Sequence, residues 1–377
     1  MDLTQELTRA RSQTDKLFAA INPDALYDRP IAERHRMIFY LGHIEAFDWN
    51  QMIQSGVSQA SHNPTFDKLF EFGIDPEPGQ LPSDQPADWP SISEIARYNC
   101  LVRASIDRHL AEIPEDVAHM MIEHRHMHAE TFAYIVHNLD YGKKIGPAPQ
   151  LSEGETVESE MIRIPAGDAI LGRNLDEGFG WDNEYTAHAV RLPEFSIGKY
   201  KVSNGEYLEF VNEGGSVPHY WSQKDGRWFW RGMFGEVPLP LDWPVYVSLE
   251  QARSFAAYRG AELPTEAQFH RACPSTIEPG ANLDYRHWDP VPIAPSDGVS
   301  QMTGNGWEWT QTVFGPFEGF APRPSYPGYS ANFFDGNHYV LKGASPRTAA
   351  KLLRPSLRNW FRAEYPYVYA TFRLCQP

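Results

Sequence analysis

From the start of the chain to about residue 140, apolar residues recur at three- and four-residue spacing with little Gly or Pro between them. That pattern predicts helices over roughly 2–21, 31–55, 91–113 and 115–138, and hence a four-helix bundle. Ser91-Ile-Ser-Glu94 has the spacing of a capping box for the third helix. The stretch 56–90 is polar and Pro-rich and reads as a long loop. Residues 141–160, YGKKIGPAPQLSEGETVESE, have no period and the Gly/Pro/Glu composition of a linker. Beyond residue 160 short apolar runs alternate with Gly, Pro, Asn and Asp and carry most of the tryptophans; the best helix there is 248–260, closed by Gly260. The prediction is a helical domain over 1–140, a linker over 141–160, and an α+β domain of short strands and long structured loops over 161–377.

A length of 377 residues suits two domains that each bury a core. The formal charge of −16, from 49 acids against 33 bases, argues against nucleic acid or an anionic membrane and points to small-molecule partners. Three widely spaced cysteines, Cys100, Cys273 and Cys375, make no disulfide framework and suit the cytoplasm. No signal peptide and no apolar run of membrane-spanning length is readable.

The stretch Glu123-His-Arg-His-Met-His-Ala-Glu130 carries the first candidate chemistry. His124 and His128 are four apart, so on a helix they lie one turn apart on one face, while His126 points elsewhere. A third histidine, in Tyr40-Leu-Gly-His43-Ile-Glu-Ala-Phe47, has apolar neighbours that should face the core. Helices that face one another in a bundle build metal sites from inward side chains, so His43, His124 and His128 can form one three-nitrogen face. Such an open face suits non-heme Fe(II), with zinc the alternative that residue type leaves open. Glu130 reads either as an acceptor that orients an imidazole or as a solvated helix acid. His35 and His137 read as structural.

These histidines, together with Ile164-Pro-Ala-Gly167, Leu171-Gly172, Lys201-Val-Ser-Asn-Gly-Glu-Tyr207, Leu263-Pro-Thr-Glu-Ala267, Gly304-Asn-Gly-Trp-Glu-Trp-Thr310 and Arg354-Pro-Ser-Leu-Arg-Asn-Trp360, resemble the ergothioneine-type sulfoxide synthases. The resemblance runs over nearly the whole chain. It implies a DinB-like four-helix bundle joined to a C-type-lectin-like domain of the formylglycine-generating-enzyme type. It also implies an Fe(II) enzyme that uses O2 to attach a chalcogen to the imidazole of hercynine, the trimethylated betaine of histidine. By carry-over His43, His124 and His128 hold the iron, Asn359 and Trp360 lie by the betaine, and an aromatic face suits a quaternary ammonium. Phe47 and Met127 join the candidate substrate-binding positions, and the active site is expected between the two domains.

The chain departs from the thiol-using members at three places. Phe317, in Phe317-Glu-Gly-Phe320, stands where they carry a catalytic tyrosine. Phe361 replaces an acid that follows R-N-W in one branch, and Met127 stands where Gln is common. Tyr326, Tyr329, Tyr365, Tyr367 and Tyr369 are alternative sources of a phenol. The substitutions lean the reading towards the selenoneine branch, with a selenosugar as donor; the alternatives are a sulfoxide synthase using cysteine or γ-glutamylcysteine, and a zinc thiol transferase. A copper site of the formylglycine-generating type is not evident from Cys273 and Cys375, and a lectin-like binding module would need neither metal nor O2.

Overall fold

Ser91 does cap a helix: its hydroxyl accepts from the Glu94 amide, and the Glu94 carboxylate accepts from the Ser91 amide at 2.9 Å. The computed structural model describes residues 2–57, 59–73, 81–149, 151, 154, 157–273 and 281–377. The chain divides into two units, Met1–Pro147 and Ala148–Pro377. In the first, the helices are α1 (Leu3–Ala19), α2 (Met37–Gln54), α3 (Pro64–Phe72), α4 (Ile92–His109) and α5 (Glu115–His137).

Two predicted boundaries are corrected. The second long helix begins at Met37 rather than near 31, because Arg36 is extended and its guanidinium donates to the carbonyls of Tyr27 and Asp84 at 2.7 and 2.6 Å. This ties the preceding segment down as turns. The predicted loop 56–90 contains α3, started by Pro64 and capped by the Asn63 side chain, which accepts from Phe66 N at 3.1 Å. Residues 58 and 74–80 of that stretch lie outside the described residues.

The division between the units falls inside the predicted linker. Its first residues belong to the bundle: Lys143 O accepts from Asn22 N, and Lys144 Nζ donates to His137 O at 2.9 Å. Residues 150, 152, 153, 155 and 156 lie outside the described residues.

Helices α2 and α5 are antiparallel, as Tyr40 against Phe132, His43 against His128 and Phe47 against His124 show. Their seam holds charge as well as apolar packing. Arg125 is fully buried and donates to Glu45 at 2.9 and 2.8 Å and to Asp48 at 2.5 Å, while Arg103 of α4 reaches Glu45 at 2.8 Å. Burial alone would raise the Glu45 pKa, yet the guanidiniums of Arg125 and Arg103 outweigh it and hold it down to about 2.

The second unit is built from β1 (Met161–Ile164), β2 (Gly167–Leu171), β3 (His188–Leu192), β4 (Phe195–Gly198), α6 (Asn204–Asn212), β5 (Trp221–Lys224), β6 (Arg227–Arg231), β7 (Glu236–Pro238), α7 (Leu249–Tyr258), α8 (Glu266–Ala272), β8 (Gly306–Val313), β9 (His338–Ala344), β10 (Asn359–Arg362), β11 (Ala370–Thr371) and β12 (Cys375–Gln376). Its sheets are ordered β10-β9-β8-β11, β1-β4-β12, β5-β6-β7 and β2-β3. Helix α7 matches the predicted 248–260, with Ser248 as cap and Gly260 at φ +63° beyond its end. Residues 274–280, which follow Cys273, lie outside the described residues.

Strands this short leave long loops, and buried ion pairs order them. Arg373 donates to Glu308 at 2.5 and 2.7 Å and to the Gly198 carbonyl at 2.8 Å. Arg358 donates to both oxygens of Glu266, and Arg354 with Ser356 donates to Glu184. Several motifs singled out in the sequence are therefore scaffold. Glu308 of GNGWEWT holds Arg373, Glu266 of LPTEA holds Arg358, and Ser203 and Thr265 cap α6 and α8. Among the described residues no helix is long and apolar enough to cross a membrane.

Removing one partner from a buried ion network leaves the others desolvated and unpaired, at a cost of about 3–5 kcal/mol. Arg125→Ala should lower stability by that amount, read as a shift of the urea unfolding midpoint of the bundle's helical signal. A change below about 1 kcal/mol would show that Glu45 and Asp48 are satisfied without it.

Candidate metal centre

Residues i, i+4 and i+8 of a helix stack along one face. On α2 these are Phe39, His43 and Phe47, and on α5 His124, His128 and Phe132. The antiparallel pairing lays the two stripes against each other, and the three histidines converge, with one ligand atom from each within 4.8 Å of the others. His43 Nε2 and His128 Nε2 are 3.2 Å apart. The phenylalanines hold the rings: Phe47 stacks on His124 at 3.4 Å and 10°, and Phe39 on His43 at 4.7 Å and 28°. His43 and His124 are buried and His128 is partly exposed.

The protonation of the group follows from its surroundings. His43 Nδ1 lies 2.7 Å from the Phe70 carbonyl oxygen. A carbonyl can only accept, so Nδ1 carries the proton and Nε2 presents its lone pair to the cluster. Burial pushes the His43 pKa down to about 4, against the opposing pull of the Phe70 carbonyl. Burial, and then the neighbouring imidazoles, hold His124 and His128 well below 6.5 as well, with Arg125 adding to both and Arg34 to His128. At neutral pH the three rings are neutral donors.

A cation with metal–nitrogen bonds of about 2.1 Å sets neighbouring ligand nitrogens about 3.0–3.4 Å apart. The His43–His128 separation already meets that, and the third ring is within reach. These residues therefore fit a metal ion bound through three imidazoles. Three nitrogens on one side leave positions open for other ligands, the arrangement of reactive rather than closed structural sites.

His126 is buried but lies outside the ligand group. Glu130 is 8% exposed, which removes the solvated-acid reading, and the acceptor on His43 is the Phe70 carbonyl. His35 packs on Phe39 at 4.3 Å, and His137 is buried at the end of α5. Met127 is half-buried beside His128.

In the second unit, β10 carries Asn359, Trp360 and Phe361 in register with Leu341, Val340 and Tyr339 of β9. Alternation along a strand separates Trp360 from the other two. Asn359 Oδ1 accepts from the Trp360 amide at 2.9 Å. Trp360 stacks on Phe314 at 4.3 Å and 6° and meets Tyr329 edge-on at 5.3 Å, and Tyr329 stacks on Trp181 at 4.0 Å. Phe361 stacks on Tyr365 at 5.2 Å. Phe317 meets His188 edge-on at 4.5 Å, and the Arg358 guanidinium lies 4.2 Å from its centroid. Of the tyrosines named from the sequence, Tyr329 reaches Trp360 and Tyr365 reaches Phe361, whereas Tyr369 is buried against Tyr246 and Tyr220.

Residues 148–290 and 284–376 match the family of the sulfatase-modifying factor enzyme 1-like domain. The chain is similar to hercynine oxygenase of Mycolicibacterium thermoresistibile, 31% identical with 82% of this chain and 80% of that protein covered. It is similar to hercynine oxygenase of Mycobacterium tuberculosis, 33% identical with 75% and 78% covered. It is also similar to ergothioneine biosynthesis protein 1 of Schizosaccharomyces pombe, 30% identical over 96% of this chain and 54% of that protein. The chain thus spans about half the length of that last relative.

Two imidazoles hold a labile divalent ion poorly. The wild-type protein, loaded anaerobically with Fe(II) and desalted, should retain about one ion per chain by elemental analysis. His128→Ala should retain almost none, and full occupancy in that variant would overturn the ligand set.

Proposed function

We propose that this chain, which belongs to the family of the sulfatase-modifying factor enzyme 1-like domain and of the hercynine oxygenases, is a metal- and O2-dependent enzyme acting on hercynine. The observation that carries the reading is the buried face of three neutral imidazoles in a chain whose relatives bear that name. In this reading His43, His124 and His128 hold Fe(II), which when bound supplies the site for O2 and for electron transfer. The net reaction joins the imidazole carbon to the donor: C–H and a thiol S–H are lost, one oxygen atom ends on sulfur, and the other leaves as water.

The rest falls to the protein's own side chains. Phe39 and Phe47 line the imidazoles with apolar surface, so the ligand nitrogens face a site without competing hydrogen-bond donors from these two residues. In the second unit one face of Trp360 is covered by Phe314 and the residue remains half-buried, which leaves aromatic surface for a quaternary ammonium that cannot donate hydrogen bonds. Asn359 enters this reading through the family resemblance alone, since its side chain lies on the other face of β10 and its Oδ1 accepts from the Trp360 amide.

Relatives named for ergothioneine biosynthesis support a sulfur donor in this reading. A second reading, a selenosugar donor, draws on Phe317 and Phe361. Phe317 lacks a phenol and faces a guanidinium already paired with Glu266, while Phe361 packs on Tyr365 where an acid would serve an amino-acid donor. A sugar makes no demand for that acid.

Trp360→Ala should raise the KM for hercynine about 2- to 30-fold with a smaller effect on kcat, the range that a loss of about 0.5–2 kcal/mol of cation–π attraction gives. An unchanged KM would remove Trp360 from the betaine site. Hercynine consumption with cysteine, γ-glutamylcysteine and a selenosugar, under air and under argon, tests the reading itself. O2-dependent turnover is expected with at least one donor, and its absence with all three would sink it. Fast coupling of cysteine decides for sulfur; turnover much faster with the selenosugar, and unimproved in Phe317→Tyr, decides for selenium.

A further inference from the structure

One glycine and one backbone carbonyl lie beside the histidine cluster without being explained by it. Gly42 is inside α2, immediately before His43. A Cβ at Gly42 would stand 2.5 to 2.6 Å from Cδ1, Cε1 and Cγ of Phe70. Carbon atoms do not approach so closely, so the ring lies against bare α2 backbone. Phe70 is fully buried, flanked by Phe66 at 5.5 Å, Trp89 at 6.4 Å and Tyr98 at 6.3 Å, and has no room to swing aside.

The close approach has a chemical consequence. Phe70 is in the last turn of α3, where carbonyls lack intrahelical donors and carry the negative end of the helix dipole. Its oxygen is thereby brought 2.7 Å from His43 Nδ1. The helix is pinned at two further points, since Tyr98 Oη donates to Asp67 at 2.7 Å and Asn63 caps its start. A neutral imidazole left to itself populates both tautomers, and the one protonated at Nε2 has no lone pair there for a metal.

We propose that α3 is the orienting element of the metal centre: Gly42 admits the Phe70 ring against α2, and the Phe70 carbonyl then locks His43 in the tautomer that presents Nε2. The inference rests on the three-histidine reading and goes beyond it, because Gly42 and Phe70 act through His43 as positioning residues and touch no metal or substrate. Loss of such an outer partner lowers metal affinity about 10- to 100-fold.

The test uses the full-length metal-free protein, Co(II) as probe, and competition against a chromophoric chelator. Tautomers are read by 15N NMR of the imidazoles, which loss of packing elsewhere would not change. Wild type should show His43 protonated at Nδ1 and bind one Co(II). Gly42→Ala should bind Co(II) about 10- to 100-fold more weakly and show His43 in both tautomers. Gly42→Ala combined with Phe70→Ala, which removes the Cγ, Cδ1 and Cε1 atoms the added methyl would meet and keeps the Phe70 carbonyl, should recover most of the affinity and the single tautomer; this double variant also decides the case if Gly42→Ala alone does not fold. Wild-type affinity and an unchanged tautomer in Gly42→Ala would overturn the proposal, as would a folded double variant that does not recover. Failure of the wild type to bind Co(II) would instead overturn the three-histidine reading.

Discussion

The pairing of Arg125 with Glu45 and Asp48 sets the register of α2 against α5. A buried guanidinium has few acceptable positions, because each displacement leaves a desolvated charge unpaired. Apolar side chains tolerate sliding far better. With Arg125 fixed, His124 falls opposite Phe47 and His128 opposite His43, and the cluster follows from helical geometry. The charged seam and the metal face are thus two sides of one pair of helices.

The cluster joins two requirements that oppose each other. Imidazoles ligate only when neutral, and burial supplies that by depressing their pKa values. Burial also strips each ring of water, so the second nitrogen needs a partner. At His43 the partner is a helix-terminal carbonyl, which accepts a proton without adding a full negative charge. Stacking by Phe39 and Phe47 restricts rotation of the rings and adds apolar contact.

The second unit meets a different problem. Strands of two to eight residues cannot by themselves define the long connections between them, and the structure uses carboxylate–guanidinium pairs inside those connections. Arg358 shows how scaffold and candidate chemistry overlap: paired with Glu266, it packs against Phe314 and Phe317, and Phe314 in turn backs Trp360. Glu184, Glu266 and Glu308 of this unit thus serve as support for its loops.

What the sequence determined by itself is local. The i, i+4 histidine pair, the Ser91 and Ser248 caps, the change from helical to strand-and-loop grammar near residue 160 and the apolar flanks of His43 are all readable because they depend on neighbours within a few turns. Helix α3 was carried by Asn63-Pro64 and by Phe66 and Phe70, a signal nine residues long inside a Pro-rich stretch and too short for periodicity to separate from loop. Tertiary structure alone decided the rest. Arg125 and Glu130 carry the letters of surface residues and are buried because α2 or the packed bundle encloses them. Glu266 and Arg358 are 92 positions apart, and no spacing rule joins them. The group that sets the His43 tautomer is a backbone oxygen, and every residue has one, so only the packing of Phe70 against the bare backbone of Gly42 could select it.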